Sequence, residues 1–466
     1  MPIRTWKYSW GFFLNKRFSS SAEVFSWLSQ FINYESGLPP SKSFRLDRMV
    51  FMASLAGNPQ RCAPCVHIAG SKGKGSVTGM TASILEASGL RTARYMSPHI
   101  SDFRERISLG GSFFEESVYC AAGDELRDTA ENKIPAAKIS LFDPADEEGE
   151  APTFFELLTL YFFLCAKHGG CGAMVVETGM GGRLDCTNIA DPVVSIITLI
   201  ELEHTAVLGK TIPAIAGEKA GIIKAGKPVV LAKQPAQALE VFRKKAAEKN
   251  SQLFYFPELA AIDKLTVRPG GTDFTLNFRG ENDPQTYSVP IPGAIQAENA
   301  GLAILALKIF DKNINNDAVR SGLNRLKIPA RFEKIADGPP LIIDGAHTPE
   351  SASLCADTFC SLYGEGGILL FGCAADKDAA AMARLLLPRF SRIIITMPGA
   401  FRISNPEKVY AAFASNKTTL VKDTAEAIRQ TMELSREKNL PVLCTGSFYL
   451  ASEVKTISSK GLSRTV

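Results

Sequence analysis

The chain is short of histidine, of tryptophan and of long apolar runs. Five histidines and three tryptophans are spread over 466 residues, so a histidine placed at a strand end carries information. The longest apolar run, Leu157–Ala166 (LLTLYFFLCA), falls well short of the ~20 residues a membrane helix needs. Surplus charge is missing too. Lys and Arg number 52 against 48 Asp and Glu, a net +4, and no basic stripe with interleaved aromatics occurs. That balance argues against a nucleic-acid or membrane surface. The ten cysteines lack paired metal spacing, and the Cys62–Cys65 pair (CAPC) has no second pair to complete a zinc site. Reduced thiols in a cytoplasmic protein are the simpler reading. Neither an internal repeat nor a low-complexity tract stands out. Acidic residues are absent until Glu23, while Arg4, Lys7, Lys16 and Arg17 precede it. A basic, serine-containing, acid-free start reads as a disordered extension over 1–22, with an organelle transit peptide as the alternative.

What is present is an ordinary globular composition, 45% apolar and 21% charged, in a chain long enough for two or three domains. An amphipathic helix is expected over Glu23–Tyr34. Short apolar strands then alternate with helices: Val66–Gly70, Ala173–Glu177, Val193–Ile200 and Pro228–Ala232. Near-continuous apolar strands of this kind predict a parallel sheet covered on both faces. Between Leu253 and Pro292 the pattern becomes short and alternating, as in an antiparallel patch. A second α/β series follows: 341–344, 368–372, 392–396, 418–421 and 441–446. The boundary falls near Ile328–Lys334, dividing the chain into the extension 1–22, a first domain 23–328 and a second domain 329–466. The acidic run Asp143–Glu150 reads as a solvated loop.

In open parallel sheets ligands sit beyond the carboxyl ends of the strands. The first strand runs into Gly70-Ser71-Lys72-Gly73-Lys74-Gly75-Ser76, followed by a helix from about Lys74 to Ser88. Glycines let backbone N–H groups converge on phosphate, the helix N-terminus adds positive potential, and Lys74 can neutralise phosphate charge. Ser76 can offer an oxygen to Mg2+. The spacing differs from the commoner phosphate loop, in which Gly-Lys is followed directly by Ser or Thr. A second strand delivers Glu177 beside two glycines, where a carboxylate can reach a metal. The third delivers Glu203 and His204. Because Mg2+ prefers oxygen, a structural histidine is a real alternative for His204. Lys219, in GEKAGIIK, reads locally as a solvated helix-face lysine. Arg331 in PARFE lies at the domain junction, where a guanidinium could reach a γ-phosphate. Asp344 stands at a strand end where ribose hydroxyls could be accepted, with His347 three residues on. Asn299 is either a cap or a nucleotide contact.

Taken together, these stretches resemble the folylpolyglutamate synthase/dihydrofolate synthase family of the Mur ligase superfamily. The resemblance runs from about Leu46 to Leu450 and rests on ordered motifs: LDRM (46–49), the loop 70–76, SPHI (97–100), ERISLGG (105–111), TFFELLTL (153–160), ETGMGGRLDCTN (177–188), LGKTIPAIAGEKAGIIK (208–224), IIDGAHTP (342–349), DKD (376–378) and TGSFYL (445–450). It implies a Mur-ligase-like ATPase domain followed by a Rossmann-like α/β C-terminal domain. It further implies an ATP-dependent ligase that activates a carboxylate as an acyl phosphate, which the amino group of L-glutamate then attacks. The acceptor would be dihydropteroate or a reduced folate.

Under this resemblance Gly70, Ser71, Gly73, Lys74, Gly75 and Ser76 hold the phosphates of ATP, with Asn299, Arg331, Asp344 and His347 completing the nucleotide site. Ser76 and Glu177 bind Mg2+, and His204 helps bind a second. Lys219 takes the place of a lysine carried as a carbamate, which reverses its local reading. Ser97, His99, Thr153, Phe154, Asp185 and Cys186 belong to the acceptor site. A monomer in the cytoplasm, without membrane or nucleic-acid partners, is expected. Departures from the family pattern are Ser71 for Thr, Lys72 for Asn, Glu203 for Asp, Ala294 for His and Thr348 for Asn. Two other classes remain as alternatives: another Mur-type amino-acid ligase, and an ATP-binding module without catalysis.

Overall fold

The computed structural model describes residues 17–33, 46–134, 152–399 and 403–462. The acidic run 143–150 and residues 1–16 lie outside the described residues. Seven strands form the first sheet: β1 (Cys65–Ala69), β2 (Thr92–Tyr95), β3 (Ile107–Leu109), β4 (Ala173–Glu177), β5 (Val194–Ile197), β6 (Val229–Leu231) and β7 (Leu253–Tyr255), in the order β3-β2-β4-β1-β5-β6-β7. All neighbours are parallel except β2 and β3.

Alternation along the strands sends side chains to opposite faces. Val66, Ile68, Ala173 and Val175 join a core with the helices Lys74–Ala87 and Ile295–Phe310. Cys65, Met174 and Val176 join another with the helix Phe154–His168. That helix contains the long apolar run, and every residue from Glu156 to Ala166 is buried. It is apolar all round because it is enclosed all round. Truncating one of its phenylalanines, such as Phe162, should cost about 3–5 kcal/mol.

The antiparallel patch expected over Leu253–Pro292 is a three-stranded sheet of β8 (Ala260–Arg268), β9 (Gly271–Phe278) and β10 (Gln285–Val289), but it starts later than expected: Leu253–Tyr255 is β7, which pairs parallel with β6 in the first sheet. The second large sheet begins at Glu333. It contains β11 (Glu333–Asp337), β12 (Pro340–Ile343), β13 (Gly367–Phe371), β14 (Phe390–Ile395), β15 (Thr418–Leu420) and β16 (Val442–Thr445), ordered β11-β12-β16-β13-β14-β15. Only β11 is antiparallel to its neighbour.

Two expectations need correction. The first helix spans Ser21–Leu28 and does not reach Tyr34. Residues 18–22 belong to the folded body, not to a disordered extension. The Phe18 amide donates to Asp124 at 3.0 Å, the Ser21 amide donates to Glu116 at 2.6 Å, and Arg127 lies 4.1 Å from the centre of the Phe18 ring. The strands β2 and β3 were not anticipated; both are very short, and β3 is an antiparallel edge.

Candidate active site

The chain leaves β1 for β2 on one side and later places β5 on the other side of β1. The loop after β1 therefore lies at the switch point of the sheet, where a crevice opens. Gly70 has φ +145, and a Cβ there would fall 1.9 Å from Thr198 Oγ1 at the end of β5. The Ser71 and Lys72 amides both donate to Leu199 O, at 2.9 and 3.1 Å, which fastens the front of the loop to the next strand. Gly73 (φ +86) caps the helix that starts at Lys74. The first amides of that helix lack intrahelical acceptors and present a ready anion site.

Three distant segments close on this loop. A Cβ on Gly73 would meet Asn299 Oδ1 at 2.6 Å. One on Gly75 would meet Arg331 Nη2 at 3.3 Å, Met96 Cε at 3.4 Å and Glu177 Oε2 at 3.7 Å. Asn299 is not a cap. It lies inside the helix Ile295–Phe310, and its amide donates to Gln296 at 3.1 Å while its oxygen faces the loop. Lys74 Nζ donates back to Gly70 O at 2.9 Å, so its charge is held over the loop.

Glu177 ends β4, and its Oε2 is buried without a hydrogen-bond partner. Burial pushes its carboxyl up to about 7, against the pull of Lys74 and Arg331. An orphaned carboxylate oxygen beside buried Ser76 fits an oxygen-seeking cation such as Mg2+. Among the described residues no cluster of three or more His, Cys, Asp or Glu could hold a metal. A cation here would therefore complete its shell with water and phosphate oxygens, as Mg2+ does.

Lys219 is not on a solvated face. Its side chain is 1% exposed, and its Nζ donates to Gly70 O and to Glu203 Oε1, each at 2.7 Å. Burial lowers its amine to about 8, with Glu203 pulling the other way. Burial opposes ionisation of Glu203, but Lys74 and Lys219 outweigh it and hold the carboxyl far below its usual range. The extra methylene of Glu203 relative to Asp lets it span to this amine. His204 stands exposed beside the pair in a left-handed conformation (φ 47).

Arg331 sits between Ala330 (φ 52) and Phe332 (φ 45), two left-handed residues that turn the junction sharply. Its guanidinium lies 4.3 Å from the centre of the Phe448 ring. The Asp344 carboxylate accepts from the Phe332 and Ala346 amides, each at 2.7 Å. Burial raises its carboxyl above the usual range. His347 Nδ1 pairs with Gly345 O at 2.8 Å, and its ring lies 5.8 Å from Phe448.

The acceptor candidates separate into two groups. Ser97 lines the cleft between the sheets together with Arg331 and Phe448. His99 Nδ1 accepts from Arg106 at 2.8 Å, and its ring lies tilted against Phe103 with the centres 4.5 Å apart; burial and Arg106 hold its imidazole down at about 4. Thr153, by contrast, caps the helix at Phe154 in a reciprocal box with Glu156, which also pairs with Arg48 at 2.5 Å. Phe154 is buried near Arg106, and Asp185 is engaged with Thr187 and the Met180 amide. Cys186 follows Asp185 in a short 3-10 turn. Phe448 was missed as a site residue, although it lies within TGSFYL. Nothing in local sequence shows that Arg331 will stack on it.

A sheet of this order, with a glycine loop at its switch point and a second α/β sheet closing on it, defines a Mur-type ligase. The Mur ligase middle domain matches residues 125–307, and the Mur ligase glutamate ligase domain matches 330–448. Folylpolyglutamate synthase of Lacticaseibacillus casei is 33% identical over 415 residues, spanning 88% of this chain and 93% of that protein. Dihydrofolate synthase/folylpolyglutamate synthase of Bacillus subtilis is 30% identical over 444 residues, spanning 94% and 99%. The solved structure of Mycobacterium tuberculosis folylpolyglutamate synthase complexed with ADP superimposes with a TM-score of 0.83 at 28% identity, over 94% of this chain and 98% of that one. The chain belongs to the folylpolyglutamate synthase/dihydrofolate synthase family.

Proposed function

We propose that this chain is an ATP-dependent, ADP-forming ligase that adds L-glutamate to the carboxylate of dihydropteroate or a reduced folate. The observation that carries the reading is the convergence of Asn299, Arg331 and Glu177 on Gly73 and Gly75 of the loop. A carboxylate is a poor electrophile, and phosphorylation supplies its leaving group. The loop amides and Lys74 bind the triphosphate, and Arg331 neutralises charge as the γ-phosphoryl moves to the acceptor. The left-handed junction and the Phe448 ring orient that guanidinium. Ser76 and Glu177 would hold one Mg2+, which supplies charge neutralisation on the phosphates. His204 and a carbamate on Lys219 would hold a second. In that form the lysine presents oxygen, and the amine must first leave Glu203. A monomer in the cytoplasm belongs to the same reading; among the described residues no helix is long and apolar enough to cross a membrane.

A coupled assay of ADP release tests it. Turnover should require Mg2+, L-glutamate and either dihydropteroate or tetrahydrofolate together. Nucleotide binding with no turnover on either acceptor would leave only a binding module. Intact-mass measurement in bicarbonate should show one added CO2 that is lost in Lys219→Ala.

A further inference from the structure

The cleft where the two sheets meet holds more than Arg331. It is a cavity of about 40 Å³ whose lining includes Arg94, Met96, Ser97, Glu105, Lys327 and Arg331. One ordered water needs roughly 10–15 Å³ on this measure, so the space takes about three waters or a single carboxylate group. Its charged lining is mainly cationic. Arg94 comes from β2, Lys327 from the segment leading to the junction, and Arg331 from the junction itself. Glu105 is the one carboxylate there, and it is already engaged by the amides of Ile100, Ser101 and Asp102 at 2.6, 3.0 and 3.2 Å. Among the described residues neither Arg94 nor Lys327 is ion-paired, and the Nε of Arg94 donates to Ser108 Oγ at 3.1 Å.

The cleft also adjoins the phosphate loop. Met96 lines it, and Met96 Cε lies 3.4 Å from where a Cβ on Gly75 would stand, beside Glu177 Oε2. The reacting carboxylate must come to this edge of the loop. Dihydropteroate has one carboxylate, and it reacts. A folate ending in glutamate has two, so one reacts and one is spare. We propose that Arg94 and Lys327 bind the spare, non-reacting carboxylate of a folate's terminal glutamate. The cleft is then the element that favours extension of glutamylated folates over first addition to dihydropteroate. The inference rests on the ligase reading above. Its physical basis is that a planar guanidinium and a carboxylate pair through parallel hydrogen bonds, and that a half-buried cation facing an acceptor without a carboxylate keeps no such partner.

The test uses the full chain with Mg2+, ATP and L-glutamate, comparing tetrahydrofolate with its two monocarboxamides. The amide still accepted as a substrate identifies the reacting carboxyl and is itself the probe lacking the spare charge. Hydrogen bonds to charged groups set the scale: amidation should lower kcat/KM of the wild type by about tenfold or more. In Arg94→Met and Lys327→Met the KM for tetrahydrofolate should rise by about tenfold, kcat should hold, and the amide should be used as before. Undiminished discrimination in the variants would overturn the proposal. So would an equal loss on acid and amide, which would place these cations on the reacting carboxylate or the phosphate. Lys327 is exposed, so its variant decides the matter if Arg94→Met fails to fold. A wild type that releases no folate-dependent ADP would overturn the ligase reading itself, and this inference with it.

Discussion

The two parallel sheets of this protein are built alike and finished differently. Both carry helices on their faces, and both send strand ends toward the cleft between them. In the first, the strand ends leave polar groups unspent. Glu177 Oε2 is buried without a partner, and the helix after Gly73 begins with bare amides. In the second, the strand-end groups are occupied. Asp344 accepts from the Phe332 and Ala346 amides, and His347 is tied to Gly345 O. On the function proposed above, the difference separates a reacting half, where unsatisfied groups would meet ligand, from a bracing half, where satisfied ones hold the junction that carries Arg331.

The strongest way to break this comparison is Lys74→Ala. It removes the charge over the phosphates, and kcat/KM should fall by ~10²–10³; steady-state ADP release measures it, and activity within a few-fold of wild type would sink the assignment. Arg331→Lys keeps the charge but loses the planar fork and the stacking on Phe448, so turnover at saturating ATP should fall by roughly tenfold while thermal unfolding is unchanged. Asp344→Asn probes the bracing half. One junction amide loses its acceptor, and stability should drop by about 1–3 kcal/mol in urea titrations. If Asp344 acted only on ribose, the KM for ATP would rise with no loss of stability.

The smallest effect concerns His67, buried in β1 with its Nε2 at 2.9 Å from Thr187 Oγ1. Burial, helped by Lys224, lowers its imidazole to about 3. The unfolded chain therefore binds the extra proton below about 6.5, and the folded chain resists it down to about 3. This contribution to stability is full above pH 6.5 and is lost as pH falls through that window, by about 1 kcal/mol at pH 5.5. Urea midpoints at pH 7.5 and 5.5 should differ less in His67→Gln than in wild type.

Much of the fold was legible because buried parallel strands read as apolar runs. The expected Ala173–Glu177 strand coincides with β4, and the helix expected from Lys74 to Ser88 ends at Ala87. β2 and β3 escaped notice because TARY and ISL are too short to show a period. The first helix was drawn too long because its apolar period continues past Leu28, while the Ser29 cap bonds end it there. In the site, glycines and charges at strand ends were legible from their order alone.

The sequence by itself determined the alternation of strand and helix, the loop 70–76 and the motif order that marks the family, since each depends on residues near one another in the chain. Only the tertiary structure decided which distant groups share the loop. Asn299 and Arg331 meet Gly73 and Gly75 across more than two hundred residues. Lys219, which reads locally as a solvated lysine, is buried against Glu203 and Gly70 O because the helix Ile212–Lys219 packs its end beneath the loop. Thr153 and Asp344 acquire protein partners that the sequence does not show: the Thr153 hydroxyl donates to Glu156, and the Asp344 carboxylate accepts from the Phe332 and Ala346 amides. Whether a polar atom is free to act depends on which partners folding brings within about 3 Å of it, and that is a property of packing.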